Sequence, residues 1–289
     1  MKKKVISGMM LTLLLMGMLV GMLTFVFNVH QAEAVKPLAT EWTKTYGGSD
    51  YDGAYSVVQT SDGGYALAGY TTSFGAGYED FWLVKVDSSG NHQWNKTYGG
   101  TNEDWAFSVV QTVDGGYAIA GSTASFGVGE WDFWLVKVDS SGNHQWNRTY
   151  GGSDYDGAYS VVQTSDGGYA LAGYTASFGA GSYDFWLVKV DSSGNHQWNK
   201  TYGGGNDDGA CSVVQTSDGG YALAGYTASF GAGSYDFWLV KVDSSGNHQW
   251  NGTYGGGNDD EAYSLVQTLD GGYALAGCTV IPDGPGDVM

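Results

Sequence analysis

The stretch AYSVVQTSDGGYALAGYT at residues 54–71, followed by DFWLVKVDSSGNHQWNKTYG at 80–99, decides the fold. It holds four short runs: AYSVVQT (54–60), YALAGYT (65–71), DFWLVKVD (80–87) and HQWNKTYG (92–99). They are rich in Val, Tyr, Trp and Thr, and are broken by SDGG, a Gly-rich loop and SSGN. That pattern reads as four strands of an antiparallel meander. Asp-Gly accepts the left-handed angles of a tight hairpin, so a two-residue turn is expected between the first two runs. The first three runs are apolar on both faces, as a sheet covered on both sides requires. The fourth is the most polar and is expected outermost. Residues 35–279 show no apolar spacing of period 3.6, so almost no helix is expected.

Working outward, the unit recurs every 52 residues. Trp42, Trp94, Trp146, Trp198 and Trp250 keep that spacing, as does the DGGY that begins at Asp62, Asp114, Asp166, Asp218 and Asp270. Residues 46–98 and 150–202 differ only at Thr72/Ala176, Tyr78/Ser182 and Glu79/Tyr183. Copies this similar have had little room to specialise. Four antiparallel strands per unit, repeated radially, make an all-β propeller of about five four-stranded blades, with the last blade incomplete. A β-solenoid is disfavoured by the Asp-Gly hairpins. The last unit has its first two strands only, and VIPDGPGDVM at 280–289 cannot replace the third, because Pro282 and Pro285 lack ladder donors. EWTKTYGG at 41–48 is a fourth-type strand that is expected to complete the last blade beside a gap of one strand. The alternative is an open array whose exposed edge recruits other copies.

The sequence TYGGSDYDGAYSVVQTSDGGYALAGYTTSFG, ending in DFWLVKVDSSGNHQWNKTYGG, resembles the secreted beta-propeller (SBBP-type) repeats. The shared features are YGG with a following Asp, D-x-G-x-Y-x-x-G-x-T-x-S-F, and D-x-x-x-K-x-D-x-x-G-x-x-x-W. The likeness covers residues 41–279. It implies a protein on a bacterial or archaeal surface and no particular activity. VDSSGNHQW at 86–94 also resembles the tryptophan-docking hairpin of quinoprotein propellers, which implies that Trp94 packs between blades.

The N-terminus reads MKKK, then an apolar run from Val5 to Val29, then Ala32-Glu33-Ala34. Residues 1–34 are expected to be a signal peptide cleaved after Ala34 or, given the length of the run, an N-terminal membrane anchor. Both place the repeat domain, 35–279, outside the cytoplasm, ahead of an irregular tail at 280–289. The formal charge is −18, and −20 once Lys2, Lys3, Lys4 and Glu33 are set aside. Such a surface repels nucleic acid. Cys211 and Cys278 are too few for a disulfide framework and are expected unpaired. Pairing about the turns sets Cys211 opposite Tyr226, and Cys278 opposite Tyr263.

Candidate sites are repeated ones. Tyr78, Trp131, Tyr183 and Tyr235 lie at or near the Gly-rich loops and form a candidate stacking platform for sugars. The crossover acids Asp50 and Asp52, Asp154 and Asp156, and Asp207 and Asp208 are turn formers and weak candidates for Ca2+. Asn95, Asn147, Asn199 and Asn251 begin Asn-x-Thr sequons that are usable where the host has the machinery. His92, His144, His196 and His248 stand one per unit and suggest solvated turns. There is no Gly-x-Ser-x-Gly elbow. The carboxylates form repeated sets and not the single differentiated pair that glycoside hydrolysis needs. The expected function is therefore a non-enzymatic, extracytoplasmic binding or scaffold module for an extracellular protein or glycan, with no cofactor unless Ca2+. A lectin-like propeller is the alternative. A quinone-dependent dehydrogenase is the enzyme reading, by fold analogy alone.

Overall fold

The computed structural model describes residues 41–279. The segment 1–34, its cleavage point at Ala34 and the tail 280–289 lie outside the described residues. Blade 1 contains β1 (Asp52–Gln59), β2 (Tyr65–Thr71), β3 (Asp80–Val86) and β4 (His92–Tyr98). Blade 2 has β5 (Asp104–Gln111), β6 (Tyr117–Thr123), β7 (Asp132–Val138) and β8 (His144–Tyr150). Blade 3 has β9 (Asp156–Gln163), β10 (Tyr169–Thr175), β11 (Asp184–Val190) and β12 (His196–Tyr202). Blade 4 has β13 (Asp208–Gln215), β14 (Tyr221–Thr227), β15 (Asp236–Val242) and β16 (His248–Tyr254). The fifth sheet is β17 (Asp260–Gln267) paired with β18 (Tyr273–Thr279). Each full sheet is an antiparallel meander in sequence order. Equivalent first strands pack against one another from blade to blade, so the fold is the β-propeller expected, with a two-stranded fifth blade.

The apolar residues on both faces of the inner strands do the work assigned to them. Phe81, Phe133 and Phe185 meet Trp134, Trp186 and Trp238 of the next blade, with ring centroids 4.5, 4.6 and 4.6 Å apart. Burial of such rings is the main favourable contribution, roughly 1.5–3 kcal/mol for each large side chain. Trp94 does sit between blades, edge-on to Tyr117 at 5.9 Å. The outer strands are exposed or half-buried almost throughout.

The first hairpin departs from expectation. Gln59 pairs with Tyr65, and Thr60 exchanges backbone bonds with Gly63 and Gly64. The loop therefore has three residues, Ser61, Asp62 and Gly63, with Gly63 in the left-handed region at φ 83°. Asp62 is needed there by another residue: the buried Lys85 pairs with it at 2.9 Å and also donates to the Val86 carbonyl and to Gln93. A lysine in an apolar strand is satisfied this way in all four full blades.

Blade junctions carry a second polar motif. Gln111, Gln163, Gln215 and Gln267 accept from the first-turn backbone of the preceding blade. Asp132 at the start of β7 lies beside Asp156 at the start of β9. Among the described residues, the buried Oδ1 atoms of Asp80, Asp132 and Asp156 have no hydrogen-bond partner. Burial, reinforced by the neighbouring carboxylates Asp104 and Asp156, raises the pKa values of Asp80 and Asp132.

The arc has two uncovered ends among the described residues. Val57 on β1 is 63% exposed, whereas its counterparts Val109, Val161 and Val213 are buried. Most of β18 is exposed. The segment 41–48 takes the outer position against blade 1: Trp42 Nε1 donates to Ser88 O at 3.0 Å, and the Tyr46 hydroxyl to Gly90 O at 2.7 Å. The second contact repeats that of Tyr98 with Gly142. It carries no strand pairing, consistent with the absent third strand.

Candidate functional site: an aromatic lumen

Each first strand contains a β-bulge at one position. The register skips Tyr55, Phe107, Tyr159, Cys211 and Tyr263, which stand between paired neighbours. A bulge re-aims the unpaired side chain. Here all five converge on one cavity of about 560 Å³, whose lining is completed by Tyr226, Tyr235 and Glu261. The bulge also brings the second strand close: a Cβ on Gly173 would stand 1.9 Å from the Gly157 carbonyl oxygen. Glycine is required there for that reason.

The rings follow one another around the axis, tilted or edge-on. Tyr55 and Phe107 have centroids 5.1 Å apart, and Phe107 and Tyr159 5.0 Å apart. Blade 4 interrupts the series with the small Cys211, which leaves space before Tyr263. Behind the inner rings stand Tyr70 and Tyr174, and at the mouth Tyr235 meets Tyr226 edge-on at 5.2 Å. Burial raises the pKa of the Tyr159, Tyr174 and Tyr226 hydroxyls and pushes the Cys211 thiol up to about 12. These groups therefore present neutral donors and π faces. The one carboxylate in the lining is Glu261, which accepts from the Tyr263 hydroxyl at 2.9 Å.

The structure distributes the loop aromatics unequally. Tyr235 turns into the lumen. Tyr183 packs edge-on to Tyr174, and Trp131 lies 6.0 Å from Trp105 in a side pocket. Tyr78 stays 68% exposed. They do not share one flat platform. The crossover acids separate as well. Asp52, Asp156 and Asp208 cap their own turns through Gly48, Gly152 and Gly204 N–H groups. Asp50 and Asp154 are exposed, and Asp207 is half-buried. Among the described residues no group of three His, Cys, Asp or Glu gathers as a metal site. Asn95, Asn147, Asn199 and Asn251 each accept from a buried Trp indole and contact a neighbouring His, as Asn95 does with Trp82 and His92. The two cysteines are free. The bulge shifts their pairing, so that Gly209 faces Tyr226 and Glu261 faces Cys278.

Apart from Tyr235, the lumen residues were not among the expected sites, although the sequence marks them. The near-identical repeats diverge at three axial positions. Residues 53, 105, 157, 209 and 261 read Gly, Trp, Gly, Gly, Glu; the bulge reads Tyr, Phe, Tyr, Cys, Tyr; and 70, 122, 174, 226 and 278 read Tyr, Ser, Tyr, Tyr, Cys. The copies specialise at the axis.

No family model matches the chain. It is 28% identical over 166 residues to regulatory protein FlaEY of Caulobacter vibrioides, covering 49% of this chain and 17% of that relative. Among solved structures it is similar to a protein of unknown function from Bacteroides caccae, at a TM-score of 0.48 and 11% identity, over 77% of this chain and 69% of the other. It is also similar to endo-1,5-alpha-L-arabinanase from Thermotoga petrophila, at a TM-score of 0.36 and 14% identity, over 76% and 58% of the two chains. These likenesses carry no argument about function.

Proposed function

We propose that this protein is a non-enzymatic, extracytoplasmic binding module that takes its ligand in the axial lumen. The carrying observation is the convergence of five bulged positions, one per blade, on a single aromatic cavity. A concave, largely apolar site with few polar groups is the usual form of a small-ligand pocket. Its lining has one carboxylate, whereas glycoside hydrolysis needs two at a set separation. The extracytoplasmic placement rests on the residues at 1–34, and the reading requires no cofactor. The test is saturation-transfer NMR of the purified protein with a panel of small aromatic, cationic and sugar fragments, run beside a glycan array. Transfer from tyrosine protons with a blank array supports the lumen. An array signal abolished by Tyr78→Ala supports instead a lectin that binds through its loops. Turnover of any fragment contradicts the non-enzymatic reading.

A further inference from the structure

The lumen combines three features. Its walls are π faces: Tyr55, Phe107, Tyr159 and Tyr263 come from the bulges, and Tyr226 and Tyr235 line the side that Cys211 leaves open. Its one formal charge is negative: Glu261 belongs to blade 5, at a position where the other blades hold Gly or Trp. Glu261 is half-buried, and its field reaches Tyr159, Cys211, Tyr226 and Tyr235. The lining contains no Asn, Gln, Lys or Arg. Sugar hydroxyls are usually met by such paired donors and acceptors, so a saccharide would leave polar groups unmatched here. A cation, by contrast, is attracted to every ring face and to the carboxylate at once. The rest of the chain has the same sign, with a formal charge of −18, which raises the local concentration of cations.

We propose that the lumen is an aromatic cage for an organic cation, a quaternary or alkylated ammonium group, with Glu261 as the counter-charge. This rests on the reading of the lumen as the binding site. The rings supply the selectivity for a soft, weakly hydrated cation, and Glu261 fixes where the charge sits. The volume of about 560 Å³ accommodates a trimethylammonium head with part of its chain.

The test is calorimetric titration of the purified protein with choline and with 3,3-dimethylbutan-1-ol, its neutral isostere. Choline is expected to bind about tenfold more tightly than the alcohol, and Glu261→Gln to weaken choline about tenfold while leaving the alcohol unchanged. Gln is isosteric, and other blades accept Gly or Trp at this position, so the variant folds; its melting temperature checks this. A peptide bearing Nε-trimethyllysine separates the two sources of the same head group. Tighter binding of the peptide assigns a protein side chain, and tighter binding of choline assigns a free ammonium compound. If the alcohol binds as well as choline, or if Glu261→Gln holds choline unchanged, the cation cage is wrong and the lumen remains a neutral site. If neither probe binds, the cage is wrong, and the fragment NMR decides separately whether the lumen binds a ligand at all.

Discussion

At the residue scale, the bulge is the feature on which the site depends. It turns Tyr55, Phe107, Tyr159, Cys211 and Tyr263 toward the axis, and it is possible only because a glycine faces it. Gly173→Ala forces a Cβ against the Gly157 carbonyl. It is expected to cost roughly 1–3 kcal/mol in urea unfolding; an unchanged midpoint would show that the bulge relaxes freely. The buried acids make a prediction of opposite sign. A raised folded-state pKa means that Asp132 stabilises the fold only below the ordinary carboxyl value, near 3.9, and that this contribution disappears as pH rises through the folded value. Asp132→Asn keeps an acceptor for the Val128 and Gly129 N–H groups and cannot ionise. By calorimetry it should melt about 2–4 °C above the parent at pH 7, with the gain shrinking near pH 3.5. A lower melting temperature at pH 7 would contradict the account of the orphaned Oδ1.

At the element scale, the Asp-Gly turn and the third strand are tied together by one ion pair in each of the four full blades. Lys189 holds Asp166, and hydrogen bonds from Thr164, Lys189 and Gly168 outweigh partial burial to hold the carboxyl near 2. A depressed pKa gives stability that is full above about pH 4 and is lost as pH falls toward 2. Circular dichroism should show this acid transition flattened in Asp166→Asn; a transition of the same shape would mean that the pair contributes nothing. Much of this level was legible beforehand. The strands, their order, the polar outer strand and the docking of Trp94 follow from composition and from the 52-residue period. The length of the first loop did not, because SDGG suits a two-residue and a three-residue turn alike; the three-residue form is held locally, since the fifth sheet has it too, with Thr268 and Gly272 donating to Asp270 and no third strand to supply a lysine. The bulges were illegible for a similar reason: AYSVVQT alternates normally, and only the approach of Gly69 to the Gly53 carbonyl shows where the register skips.

At the scale of the whole molecule, five sheets surround one lumen and leave an uncovered face at each end of the arc. Segment 41–48 holds the outer position against blade 1 through Trp42 and Tyr46. Deleting it should expose Trp82, Val84 and Leu67 and lower the melting temperature sharply; an unchanged value would mean that the segment closes nothing. The lumen itself was the least legible feature. Its residues are 52 apart in sequence and meet only when the blades are set radially, so no local pattern joins them. The central claim is that this lumen is where ligand binds, and Cys211→Tyr tests it most directly. Tyrosine already occupies the same position in blades 1, 3 and 5, so the substitution fits the fold and fills the gap that blade 4 leaves. Titrated with choline, the Cys211→Tyr protein should melt with the parent and give no binding heat. Choline binding at the parental affinity would place the site elsewhere and contradict the account.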